Sequence, residues 1–140
     1  MELSLEDYDR LCLLESKKYI KEKNFIIFDV GANIGKFAKL AKETFEQKSP
    51  IFHYFEPNKK AFFELNKNIK EGYFNNIALY KEESEHLLFY PTKFTSLGSF
   101  IKRQEIVLDK NAFGDLLTEK IISTTIDQYI YENDLKTINY

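Results

Sequence analysis

Phe25-Ile26-Ile27-Phe28-Asp29-Val30-Gly31-Ala32-Asn33-Ile34-Gly35 is the stretch whose reading decides the fold. Residues 25–30 form an apolar run rich in β-branched and aromatic side chains, with one acid near its end. That is the pattern of a strand covered on both faces in a parallel sheet. The run stops at Gly31. Beyond Gly35, the residues Phe37, Leu40, Ala41 and Thr44 or Phe45 fall on one side of a helix whose other side carries Lys36, Lys39, Lys42 and Glu43. Strand, glycine turn and helix in this order predict a βα unit, with a crevice at the carboxyl end of the strand where nucleotide-like ligands bind.

Upstream, Ser4 and Asp7 have the form of a capping box, and Leu5, Tyr8, Leu11, Cys12 and Tyr19 recur at helical spacing. They predict a helix running to about Lys21 within an N-terminal segment, residues 1–22, with Cys12 as a small core residue. Downstream, Pro50 closes the second helix and Ile51-Phe52-His53-Tyr54-Phe55 reads as a second strand, ending at Glu56-Pro57. Asn58 is suited to cap a third helix bearing Ala61, Phe62, Leu65 and Ile69, with Gly72 just past its end. A third strand is expected over 75–80 and another over 87–90, before Pro91. The stretch 92–119 contains Gly98 and Gly114 and is of mixed polarity, so a long loop with some local structure is expected there. Residues 121–125 read as a strand, and Thr125 with Gln128 as a second capping pattern opening a short helix to about Asn133. Strands alternating with helices predict an α/β fold on a parallel sheet, with residues 1–140 as one domain.

Composition narrows the class. A length of 140 residues with 44% hydrophobic content is enough for one core, and 20 basic against 22 acidic side chains give a charge of −2, with no footprint for nucleic acid. The longest apolar runs are too short to cross a bilayer, and the acidic start at Glu2, Glu6 and Asp7 is unlike a signal peptide, so no membrane partner and a cytoplasmic location are expected. Cys12 is the single cysteine, and His53 and His86 are the two histidines, without the spacing of a metal pair; no metal site is expected. Each histidine reads as structural or surface rather than as a general base. The lysines between 36 and 42 read as the wet face of a helix, and the thirteen phenylalanines as core.

The candidate chemistry lies at the strand tips. Gly31 can adopt backbone angles closed to other residues and lets a ligand approach the main chain, while Gly35 permits close passage of helix and strand. The helix N-terminus behind them suits a carboxylate. Glu56, about 20 residues after Gly35, stands where such folds place an acid for a ribose diol. Asn76 is a candidate for adenine. A dinucleotide turn needs a second glycine where this chain has Asn33, and no phosphate-binding loop of the Walker type occurs, so a nucleoside ligand without a pyrophosphate is favoured over a nicotinamide cofactor.

Four segments in order, Phe28-Asp29-Val30-Gly31-Ala32-Asn33-Ile34-Gly35, Tyr54-Phe55-Glu56-Pro57-Asn58, Asn76-Ile77-Ala78-Leu79 and Thr124-Thr125-Ile126-Asp127, resemble the motifs of FkbM-family methyltransferases. The similarity covers residues 25–140. It implies a Rossmann-like class I methyltransferase sheet, S-adenosylmethionine as cofactor, and methylation of a hydroxyl on a small molecule or carbohydrate. It further implies that Asp29, Gly31, Asn33 and Gly35 surround the methionine part, with Ala32 also binding the cofactor, that Glu56 holds the ribose, and that Asn76 and Ala78 lie near the adenine. Ser96 and Ser99 resemble a serine-rich stretch on the substrate side; no catalytic base is assigned. The family continues past a segment like Ile138-Asn139-Tyr140 into an acidic strand beside the first one, which this sequence lacks. The sheet is therefore expected to be incomplete at the C-terminus, with the edge of residues 25–30 open to association between copies. A second reading follows from the same feature: a degenerate cofactor-binding or interaction module without turnover.

Overall fold

The computed structural model describes residues 4–94, 98–100 and 109–140. Helix α1 (Leu5–Ser16) begins with the expected capping box, Asp7 N–H donating to Ser4 Oγ at 3.2 Å and Ser4 N–H to the Asp7 carboxylate at 2.9 Å. It ends at Ser16, whose hydroxyl donates to the Cys12 carbonyl at 2.8 Å, well before Lys21. Among the described side chains Leu13 on the helix, with Ile20 beyond it, reaches the core; Tyr8, Leu11, Cys12 and Tyr19 are exposed. Tyr8, Leu11 and Tyr19 of the expected apolar stripe thus face outward, and so does Cys12, which was expected in the core. Helix α1 contacts α2 (Lys36–Thr44), and Leu13 is the residue that joins Ala38, Leu40 and Ala41 of α2 in the core.

Strands β1 (Ile26–Val30), β2 (Ile51–Phe55) and β3 (Tyr73–Asn75) form a parallel sheet in the order β1-β2-β3, with Asp29 opposite Tyr54 and Tyr54 opposite Phe74. Because successive side chains alternate between faces, Ile27, Phe52 and Tyr54 pack with Leu13, Ala38, Leu40, Ala41 and Phe45, and with Leu65 and Ile69 from helix α3 (Lys59–Asn68) and its end. On the other face Phe28, His53 and Phe55 meet the ring of Tyr129 at centroid distances of 5.5, 5.7 and 4.7 Å. In β1 and β2 the face toward α2 and α3 is buried throughout, whereas on the Tyr129 face Val30, Ile51 and Tyr73 are exposed and Phe28 is half-buried, so the expected burial on both faces holds only at the middle of the sheet. Asn58 caps α3 by accepting from Ala61 N–H at 2.9 Å.

The rest departs from a purely parallel design. Strands β4 (Ala78–Leu79), β5 (Ser84–Pro91) and β6 (Leu116–Thr124) make a second sheet with β6 in the middle, parallel to β4 and antiparallel to β5. The strand expected over 75–80 is split, because Asn76 turns its amide back to the Glu56 and Pro57 carbonyls and the chain leaves β2 for β6. The stretch expected to be a loop to Glu119 holds helix α4 (Lys110–Phe113) and the first half of β6. That half is recruited by β5, a partner distant in sequence, so its mixed polarity concealed it. Helix α5 (Ile126–Glu132) is capped as expected, Gln128 N–H donating to Thr125 Oγ1 at 3.1 Å. The outer edge of β1 is not bare. Asn139 and Tyr140 lie along it, with Phe28 N–H donating to the Tyr140 carbonyl at 2.9 Å and Ile26 N–H to Asn139 Oδ1 at 3.0 Å. Phe63 and Phe94 are exposed, so the phenylalanines are not all core. No described helix is long and apolar enough to cross a membrane.

Candidate functional site

Parallel pairing of Val30 with Phe55 brings the two strand tips side by side. The turn after β1 is anchored to β2 by Gly31 and Ala32, whose N–H groups share the Phe55 carbonyl at 2.8 and 3.1 Å. Three residues of this turn have positive φ: Gly31 at +76°, Asn33 at +48° and Gly35 at +88°. The two glycines serve different ends. A Cβ on Gly31 would meet nothing within 4 Å, so that side of the turn is open; one on Gly35 would stand 2.8 Å from Ile69 Cγ1 and 3.0 Å from Leu65 Cδ1. Gly35 therefore lets α2 begin against α3, a helix-to-helix approach rather than the helix-to-strand passage expected.

Glu56 locks the two tips together. Its Oε2 accepts from Asn33 N–H and its Oε1 from Asn58 N–H, both at 2.8 Å, which leaves further lone pairs on each oxygen for hydroxyl donors. Burial raises the proton affinity of this carboxyl and the Glu119 charge adds to it, against the two backbone donors that lower it. Asn76 supports the arrangement from behind: both recorded hydrogen bonds of its amide nitrogen go to the Glu56 and Pro57 carbonyls, at 2.8 and 3.1 Å. Its amide donors are thus engaged by the backbone.

Asp29 is the unusual group. Its side chain is 6% exposed, and its Oδ2 is buried with no hydrogen-bond partner. Desolvation, then the charges of Glu56 and Asp9, push its pKa up to about 7. A buried acid with like charges nearby and no compensating donor costs stability, and such groups concentrate where a ligand is to be met.

Two clefts flank the turn. The smaller, of about 140 Å³, is lined by Gly31, Asn33, Glu56, Pro57, Asn58, Leu88 and Gly98; the larger, of about 410 Å³, by Glu6, Asp9, residues 31–34, Lys36, Phe37 and Leu40. Of the expected residues, Gly31, Ala32, Asn33 and Glu56 line these clefts, while Asp29, Gly35 and Asn76 line neither and adjoin them through the chain or, for Asn76, through its bond to the Glu56 carbonyl. Ala78 is buried in β4 with Leu88, Tyr90 and Ile121, one layer behind the smaller cleft, which Leu88 lines. Ser99 bridges to Phe89 by two backbone hydrogen bonds of 2.8 and 2.9 Å; Ser96 lies outside the described residues. A recess at the opposite end of the strands, lined by Lys42, Ile51, Phe52 and Tyr73 among others, contains none of the motif residues.

Sequence reasoning missed several contributors, among them Lys36, which was read as the wet face of a helix. Asn58 was read only as a cap, though it directly follows Glu56-Pro57; Leu88, Asp9 and Glu6 come from elements whose docking leaves no local signal. Of the histidines, His53 is buried against the Tyr129 hydroxyl at 2.8 Å, and His86 meets Ser123 Oγ at 2.8 Å while that hydroxyl bonds the Glu82 carbonyl at 2.7 Å. Because the serine donates to a carbonyl, the second pair is not a base activating a nucleophile. Comparison of the chain with protein families, curated proteins and solved structures gives no match.

Proposed function

We propose that this chain binds S-adenosylmethionine at the β1 and β2 tips and transfers its methyl group to a hydroxyl of a small molecule or carbohydrate, as a Rossmann-like class I methyltransferase of FkbM type. The observation that carries the proposal is the joined pair of tips: an open glycine turn and a next-strand acid, tied by Asn33 N–H to Glu56 Oε2 at 2.8 Å. The residues fit such a ligand on two further counts. Asp29 has a buried oxygen lacking a donor, which an ammonium group satisfies, and the open side of Gly31 admits a ligand against the main chain.

In this reading Asp29, Gly31, Ala32, Asn33 and Gly35 surround the methionine end, and the free lone pairs of Glu56 accept from the ribose hydroxyls. Asn76 and Ala78 lie toward the adenine; Ser96 and Ser99 belong to the substrate side. When bound, the cofactor supplies a sulfonium methyl group open to in-line attack by an acceptor oxygen. The chain's part is to orient, to exclude water and to hold charge, with Glu56 fixed by two backbone donors so that little ordering is left for binding. Calorimetric titration with S-adenosylhomocysteine tests the proposal: one-to-one binding that Gly31→Val removes is expected, and no binding to a well-folded sample refutes it. Transfer of a labelled methyl group to hydroxyl acceptors then separates an enzyme from a binding module without turnover.

A further inference from the structure

Helix α1 lies outside every motif of the site, yet it walls the larger cleft. Glu6 and Asp9 line it on one side, facing the 31–34 turn, Lys36, Phe37 and Leu40 on the other. Glu6 has a neighbour in Arg10, 3.9 Å away on its own helix. Asp9 has none: among the described residues its side chain makes no hydrogen bond or ion pair, and it is exposed. Its charge nevertheless reaches Asp29, whose buried Oδ2 is also unpartnered. Two acids from elements far apart in sequence thus stand near the open turn at Gly31, Asp9 lining the cleft beside it and Asp29 two residues before it in β1, and neither forms an ion pair with Lys36 on the other wall. Nor do they belong to any cluster of three or more ligating side chains suited to a metal ion among the described residues.

Like charges placed together without a counter-ion cost free energy in the free protein, and a cationic ligand group relieves that cost. We propose that Asp9 is a specificity residue: α1 closes the methionine end of the site, and Asp9 acts with Asp29 to select a ligand carrying a primary ammonium group there. The inference rests on the cofactor reading above and adds to it a residue and a helix that the strand-tip motifs do not contain. Lys36, on the far wall, sets the opposite preference for a carboxylate, so the two walls of the cleft read the two charged ends of an amino acid moiety.

Titration of wild type and Asp9→Asn with two ligands tests this: S-adenosylhomocysteine and its desamino analogue, in which hydrogen replaces the α-amino group. Wild type is expected to prefer the amino ligand. Asp9→Asn is expected to weaken S-adenosylhomocysteine roughly three- to tenfold, as for a charge-assisted contact at a half-open site, and to leave the desamino analogue unchanged. Since the Asp9 side chain is exposed and bonds to nothing, a melting temperature unchanged or slightly raised by relief of its repulsion with Asp29 is expected and confirms the fold. Equal weakening of both ligands, or of neither, overturns the role of Asp9 while leaving the cofactor reading intact. Failure of wild type to bind either ligand overturns that reading and this inference together.

Discussion

Replacing Asp29 with Asn should stabilise the protein at neutral and alkaline pH. The carboxyl is buried, has no donor on Oδ2, and has its pKa raised from 3.8 to about 7. In the fold it therefore retains a proton that the unfolded chain has already lost, and folding stability declines as pH rises from 3.8 to about 7, then levels off. At 1.36 kcal/mol per pH unit, Asp29 costs about 1.7 kcal/mol at pH 5 and about 4 kcal/mol at pH 8. Asparagine has nearly the same shape and is as poorly bonded as the protonated acid, so it removes the titrating part and little else. Urea denaturation of both proteins at pH 5 and pH 8 measures the difference. The advantage of Asp29→Asn should grow by about 2.5 kcal/mol between the two, a further shift in midpoint of about 1 M for a chain of this size. Comparison at matched pH cancels other groups, His53 among them. An advantage that does not change with pH, or a variant less stable at pH 8 than at pH 5 relative to wild type, refutes the account of Asp29 as a stored electrostatic cost.

The same titration governs binding. A ligand bearing an ammonium group needs the ionised carboxyl, so affinity for S-adenosylhomocysteine should fall by up to about tenfold for each pH unit below about 7, and calorimetry in buffers of different ionisation enthalpy should show proton release. The two glycines of the turn should separate: Gly35→Ala, pressed against Ile69 and Leu65, should lose about 1–3 kcal/mol of stability, whereas Gly31→Ala should lose about 1 kcal/mol by denaturation and weaken the ligand more than Gly35→Ala does. Tyr129→Phe removes the hydroxyl shared by His53 Nδ1 at 2.8 Å and Asn75 Nδ2 at 3.1 Å, and should cost about 1–3 kcal/mol in thermal or urea unfolding. Burial holds the His53 pKa below 6.5, so the stability tied to its neutral form is present above pH 6.5 and is lost on acidification. This sign is opposite to that of Asp29.

The strand tips were legible because their signals are local. A continuous apolar run fixes a strand of a parallel sheet, positive-φ positions call for Gly31 and Gly35, and Ser4, Asn58 and Thr125 cap their helices through hydrogen bonds spanning three residues. Each depends on chain neighbours alone, so the amino-acid order was sufficient to determine it. It also placed Asp29 and Glu56 at successive strand ends, which parallel pairing then makes adjacent. What the order could not specify depends on partners distant along the chain. The face of α1 that turns inward was decided by its contact with α2, which left Cys12 outside and brought Asp9 to the cleft. The extent of β6 was decided by β5, and the covering of the β1 edge by Asn139 and Tyr140. The charge state of Asp29 belongs to the same class: in sequence it is an ordinary acid, and only enclosure beside Glu56 and Asp9, away from water and from any donor, turns it into a group that titrates near neutrality.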